Sequence, residues 1–212
     1  MRGIVMGLLL VVCLIVGNGT ASAQDEEHRF EVGGVYTILE LSDFQSRIFP
    51  GTGVGDNVVS GLGGRFAYNI NKHFAIDAEA SFFPESHLLN EEFAQKMQGF
   101  IGLKAGVRNK RVGVFAKARP GVMWFGEFPT RGGCSTSLFG TICGVSHEKD
   151  FALDLGGVFE FYPTDRLILR ADVGDTIIRY PRHVFAIQPV PITVNAATKN
   201  NLQISFGVGW RF

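Results

Sequence analysis

Apolar and polar residues alternate with a period of two through most of this 212-residue chain. Eight stretches carry the alternation, at about 29–41, 58–70, 74–83, 97–108, 112–123, 151–162, 167–175 and 201–212. A two-residue period puts successive side chains on opposite faces of a β-strand. No long amphipathic helical repeat follows residue 24. Each stretch is about ten residues, the length a tilted strand needs to cross a hydrocarbon core.

The connections follow a second rhythm. Asn71-Lys72-His73, Asn109-Lys110-Arg111 and Pro163-Thr164-Asp165-Arg166 are tight and rich in turn formers. The other four connections, 42–57, 84–96, 124–150 and 176–200, are long, and long and short alternate without exception. A compact soluble domain rarely holds four such loops. A transmembrane barrel has short turns on its periplasmic side and long loops outside. The pattern predicts an all-β fold: an eight-stranded, antiparallel, up-and-down transmembrane β-barrel with short periplasmic turns and long extracellular loops.

Charge placement fixes which face points where. In 74–83, Phe74, Ile76, Ala78, Ala80 and Phe82 share one face, and Asp77 and Glu79 lie on the other. The last stretch sets Leu202, Ile204, Phe206, Val208, Trp210 and Phe212 against Gln203, Ser205, Gly207, Gly209 and Arg211. In five stretches a pair of charges shares a parity: Asp77/Glu79, Lys104/Arg108, Lys117/Arg119, Asp154/Glu160 and Arg170/Asp172. An Arg or Lys facing lipid near the midplane costs about 2–4 kcal/mol. The charged face is therefore expected to line the lumen and the apolar face to meet lipid.

The inward set comprises Glu31, Arg65, Asp77, Glu79, Lys104, Arg108, Lys117, Arg119, Asp154, Glu160, Arg170, Asp172 and Arg211. Its signs nearly balance, which predicts mutual ion pairing in a filled lumen, since eight strands leave room only for side chains. Aromatics cluster at strand ends. Phe30, Tyr68, Phe74, Phe161, Trp210 and Phe212 fall near the short turns, and Tyr36, Phe82, Trp124, Phe125 and Phe151 near the long loops. Two interfacial girdles are expected from them. A soluble barrel of lipocalin type has its apolar face inside. Here the bulky, nearly unbroken apolar face suits lipid better.

Composition adds limits. Acidic and basic residues balance at 20 each, so no basic footprint for nucleic acid exists. Arg2, the apolar run Ile4 to Val16 and Ala21-Ser22-Ala23 read as a signal peptide over 1–23, cleaved before Gln24. A single barrel domain over 24–212 is expected. The exported chain retains Cys134 and Cys143, and export permits a disulfide between them. Closing so short a loop is worth about 3 kcal/mol at most. The two thiols and His147 fall short of a metal-ligand set, so no metal or cofactor is expected. Gly51 to Asp56 (GTGVGD) lacks the Lys-Ser/Thr of a phosphate loop and reads as an exposed loop.

With Glu31-Val32-Gly33-Gly34-Val35-Tyr36 in the first strand, eight strands and a terminal aromatic, Phe212, the chain resembles the small outer-membrane β-barrel proteins of the OmpA transmembrane-domain and OmpX type. The resemblance covers the whole mature chain. It implies a monomer in the outer membrane of a Gram-negative-type bacterium, among outer-membrane lipids and lipopolysaccharide. It also implies that Trp210 and Phe212 are read by the barrel-assembly machinery. The family spans structural proteins, adhesins, small channels and a few enzymes. A structural or surface-interaction role through the outer loops is expected, with Arg179, Arg182 and Lys199 as candidate contacts for lipopolysaccharide or a partner. A narrow channel and a lipid-modifying enzyme are the alternatives. For catalysis Ser146-His147-Glu148 is the nearest grouping, but adjacent residues of an extended chain point apart. His87 and His183 have no evident serine partner.

Overall fold

A computed structural model describes residues 29–41, 57–84, 95–137, 140–185 and 192–212. For 57, 127–137, 140–148, 183–185 and 192–194 the backbone alone is described. The strands are β1 (Phe30–Leu41), β2 (Asn57–Asn69), β3 (Phe74–Phe83), β4 (Lys96–Arg108), β5 (Val112–Ser137), β6 (Gly140–Phe161), β7 (Leu167–Tyr180), β8 (His183–Phe185), β9 (Ile192–Val194) and β10 (Ala197–Arg211). Eight of them close a ring in the order β1-β10-β7-β6-β5-β4-β3-β2. Every pairing is antiparallel, and β1 closes the ring by pairing with both β2 and β10. The remaining two, β8 and β9, form a small hairpin within the β7–β10 connection.

The short turns owe their shape to single side chains. Asn71 Oδ1 accepts hydrogen bonds from the amides of His73 and Phe74, both at 2.8 Å. Asn109 Oδ1 does the same for Arg111 and Val112, at 2.9 and 2.8 Å. A side-chain carbonyl in this position mimics a backbone turn and reverses the chain in few residues. In the third turn Thr164 Oγ1 accepts from the Leu167 amide at 3.1 Å. All three turns lie at the end where Phe30 and Phe212 exchange backbone hydrogen bonds of 3.0 Å. By the convention of these barrels that end is periplasmic.

Exposure follows the alternation strand by strand. In β3 the pattern runs exposed, buried, exposed, buried through most of its length. Leu62, Ile101, Val208 and their like are 55–70% exposed on the outer wall, whereas Asp77, Lys104, Arg119 and Glu160 are 0% exposed within. An apolar belt around the whole barrel far exceeds the few hundred Å² a soluble monomer exposes, so it belongs against lipid. Close approach of the walls depends on small residues. Gly156 and Gly174 face each other across β6 and β7. A Cβ on Gly156 would lie 2.3 Å from the Val173 carbonyl oxygen.

Three expectations need correction. The stretches 124–150 and 176–200 are not simply loops. Strands β5 and β6 pair on from the barrel wall to Ser137↔Gly140, with register shifts between Phe125 and Phe128 and between Thr130 and Ser135. Strands β7 and β10 pair out to Tyr180↔Ala197. Bulges of this kind keep a ribbon going while re-aiming it, which is why its Gly/Ser/Thr composition reads as loop. Second, Phe125 is 1% exposed and lies inside the barrel rather than in the outer girdle. It shares the parity of Lys117 and Arg119, and a strand of unbroken period keeps that face inward. Third, Arg211 is not part of the ion-pair network, as described below. The signal segment 1–23, the GTGVGD loop and His87 lie outside the described residues, as do the side chains of Cys134, Cys143, Ser146, His147, Glu148 and His183.

Candidate functional site: a layered barrel interior

The strand alternation sends one residue in two inward, so each strand contributes a column of side chains. Read from the periplasmic end, β1 offers Glu31, then Thr37, then Leu39 and Leu41. Strand β3 offers Asp77 and Glu79, then Ser81, then Phe83. Strand β7 offers Arg170 and Asp172, then Thr176, then Ile178 and Tyr180. All of these are buried. In these three strands the columns run ionic, neutral polar and apolar from the periplasm outward, while β4 and β6 carry buried Lys96 and Asp150 at the outer side.

The ionic layer holds six cations and six anions. Arg119 reaches three carboxylates: Asp154 from Nε at 2.8 Å, Asp77 from Nη1 at 2.8 Å and Glu79 from Nη1 at 2.9 Å. Arg170 grips Asp77 with both terminal nitrogens, at 3.0 and 2.9 Å, and also donates to Asp172. Such two-pronged contacts are the strong, geometrically specific class. Lys117 lies 2.9 Å from Asp154 and 3.5 Å from Asp172. Lys104 lies directly across from Lys117 in the sheet. Their repulsion is offset because Lys104 Nζ turns to Glu160 at 2.6 Å. Nearer the periplasm, Glu31 accepts from Arg65 at 3.1 Å, Asn69 at 2.9 Å and Arg108 at 2.8 Å. The charges cancel within the layer, and burial demands that they do, since an unpaired buried ion is costly.

Twelve of the thirteen inward charges expected from the sequence are brought together in this way. The exception is Arg211. Its guanidinium stacks 3.9 Å from the centre of the Tyr162 ring, and its Nε and Nη2 have no hydrogen-bond partner among the described residues. It occupies the periplasmic mouth, next to the ionic layer but outside it. Tyr162 was not anticipated, because it falls at the end of its stretch. Its hydroxyl accepts from Arg108 Nε at 2.8 Å and donates to Glu160 at 2.6 Å. Buried Lys96 and Asp150 were also missed, since both lie in stretches that read as loop; neither is without a partner.

Above the ions, hydroxyls and amides satisfy each other. Ser205 Oγ lies 3.1 Å from Thr37 Oγ1, and Thr176 Oγ1 donates to Gln203 Oε1 at 2.9 Å. Toward the outer end comes a cluster of Leu39, Leu41, Phe83, Phe100, Met123, Phe125, Ala152, Ile178 and Tyr180. Phe100 joins the two worlds, with the Arg119 guanidinium 5.9 Å over its ring. The cluster fills much of the outer half of the lumen, with buried Lys96 and Asp150 opposite its Phe125 and Met123. The sequence carried a signal for it. Glu31 sets the inward parity of β1, and Leu39 and Leu41 share that parity.

On the outer wall, Phe30 stacks against Phe212 with ring centres 6.2 Å apart and lies 5.2 Å from the Tyr68 ring. These are the periplasmic girdle. Arg179 and Arg182 are exposed at the outer rim, while Lys199 is half-buried on β10 and partnered.

Comparison with known proteins agrees with this geometry. A search of curated proteins found no match. Among solved structures, Neisserial surface protein A (NspA) superposes with a TM-score of 0.58 at 12% identity, covering 86% of this chain and 97% of that one. The N-terminal β-barrel domain of Pseudomonas aeruginosa OprF gives 0.49 at 8% identity, over 88% and 100%. The outer membrane protease OmpT from Escherichia coli gives 0.47 at 8% identity, over 92% and 100%. The family model described as outer membrane protein beta-barrel domain matches residues 8–212. The chain belongs to that family: it is an integral β-barrel protein of the outer membrane with eight strands in its wall.

Proposed function

We propose that the protein is a non-conducting, non-catalytic barrel that acts at the cell surface through its outer end. One observation carries this reading: the lumen is filled twice over, by a charge-balanced ionic layer and by a largely apolar cluster above it. Ions crossing such a barrel would have to break paired charges and then enter an oily layer, and burying an ion without a partner is heavily penalised. The outer end has what the lumen lacks. Strands β5 and β6 run 26 and 22 residues, far beyond the ten or so a membrane needs, and form a ribbon standing clear of the wall. Among the described residues, strand pairing of the ribbon with β4 ends at Phe125 and with β7 at Phe151. Cell-surface partners, lipopolysaccharide among them, and recognition of β10 with Trp210 and Phe212 by the assembly machinery belong to the same reading.

The test is twofold. Purified protein in a planar bilayer should give no stable conductance steps, and lipid A from cells with and without the protein should have the same mass spectrum. Deleting ribbon residues 128–146 should leave the barrel folded, as seen by its shifted gel mobility before boiling, and abolish its surface binding. Steady conductance, an altered lipid A, or full surface binding without the ribbon each overturns the reading.

A further inference from the structure

Strands β6 and β7 part company at the outer rim. Their pairing ends at Phe151↔Arg179, and β6 continues upward with β5 alone while β7 stops at Tyr180. The gap opens a recess of about 380 Å³ bordered by Lys149, Phe151, Arg179, Pro181 and Arg182. Among the described residues its one acidic neighbour, Asp150, is buried. The three cations are exposed, and none has a carboxylate or hydrogen-bond partner among the described residues. This is unlike the lumen, where every charge of the ionic layer is matched.

Height on the barrel narrows the ligand. Arg179 is twelve positions along β7 from Leu167, and Lys149 is twelve positions along β6 from Phe161. Twelve residues at the usual strand rise and tilt climb about 30 Å, the thickness of a hydrocarbon core. Both cations therefore stand where the apolar belt gives way to headgroups, with Phe151 below them at the edge of the oil. A guanidinium fork matches two oxygens of a phosphate, and a lysine adds a compact charge.

We propose that this recess binds a phosphate group of an outer-leaflet lipid, holding it by Lys149, Arg179 and Arg182. The assignment rests on the reading of the outer end as the interacting end and gives that end a specific chemical partner. The ligand is a phosphorylated glycolipid anchored in the leaflet, so its acyl chains lie along the belt beside Phe151. A free phosphate lacks that second attachment.

The experiment uses the full mature protein in nonionic detergent micelles, with native mass spectrometry counting bound lipid. Bisphosphorylated lipid A is compared with chemically dephosphorylated lipid A, and inorganic phosphate is the competitor. The variant Lys149→Gln/Arg179→Gln/Arg182→Gln is compared with Lys110→Gln/Arg111→Gln, which removes charge at the periplasmic turn. Gel mobility before boiling confirms that each variant is folded. Wild type should prefer the phosphorylated lipid by about tenfold or more, since charge-assisted hydrogen bonds are the strong class. The rim variant should lose that preference and the turn variant keep it. Indifference of wild type to phosphorylation overturns the site, as does equal binding by the rim variant or loss in the turn variant. Competition by inorganic phosphate at low millimolar concentration overturns the lipid assignment. None of these outcomes touches the ribbon, so failure here leaves the broader surface-interaction reading to its own deletion and conductance tests.

Discussion

Replacing Arg119 with methionine tests the ionic layer where it is most connected. The side chain is fully buried and serves three carboxylates. Methionine is of similar length and brings no charge, so the change strands whatever Arg119 alone was holding. Asp154 retains Lys117 at 2.9 Å, and Asp77 retains the two-pronged grip of Arg170. Glu79 retains nothing: Arg119 is its one hydrogen-bonding and ion-pair partner among the described residues. Breaking a buried pair by removing one side costs about 3–5 kcal/mol. Most of that cost should fall on Glu79, which points to a second mutation. Glu79→Gln alone should cost about 1–2 kcal/mol, because Arg119 still has Asp77 and Asp154. In the Arg119→Met background the same change removes a stranded charge and should restore about 1–3 kcal/mol. The double variant is then more stable than Arg119→Met alone. The assay is reversible urea unfolding in phospholipid vesicles, followed by the fluorescence of Trp124 and Trp210. A penalty below about 1 kcal/mol for Arg119→Met, or a double variant whose penalty is the sum of the two singles, would refute the argument. Additivity means the two groups do not interact, as in a lumen wet enough to screen them.

Three further outcomes are expected. Leu103→Arg, at mid-height on the lipid face, should cost about 2–4 kcal/mol in the same assay, and Val107→Arg near the periplasmic interface about 0–1 kcal/mol; equal penalties would contradict the depth assigned to them. Phe125→Ala should cost about 3–5 kcal/mol, as for a large aromatic removed from a packed interior, and a loss under about 1 kcal/mol would return this ring to the lipid face. Cys134 and Cys143 in protein purified from the outer membrane should resist alkylation until reduced, and free thiols in the untreated protein would rule out the proposed disulfide.

The wall of the barrel was legible because lipid and lumen enforce opposite demands at every second residue. Asp77 and Glu79 fix the face of β3, and Arg170 and Asp172 that of β7, so facing followed from charge while strand number followed from the alternation. The ends were harder. Past Phe125 the ribbon pairs, among the described residues, only within itself, so no wall on either side enforces alternation in GEFPTRGGCSTS. Phe125 shows a related difficulty. Charges identified the lumen face, and an aromatic at a strand end was then assigned to the girdle by composition, although its parity with Arg119 said otherwise. Arg211 had the correct parity but the wrong neighbours, because partner choice depends on how eight tilted strands bring distant columns together. Arg170 and Asp77, 93 positions apart, meet in this way, and no local pattern announces it. The recess at the rim depends on where β6 and β7 separate, which is likewise a property of pairing rather than of either strand.

The greasy stopper near the outer mouth makes the two ends of the molecule unequal. On the non-conducting reading proposed above, Arg211 stands at the periplasmic lip, while leucine, methionine and aromatic rings of the outer half lie between the buried salt bridges and the outer face. Those salt bridges would then answer to the acidity of the periplasm before that of the external medium.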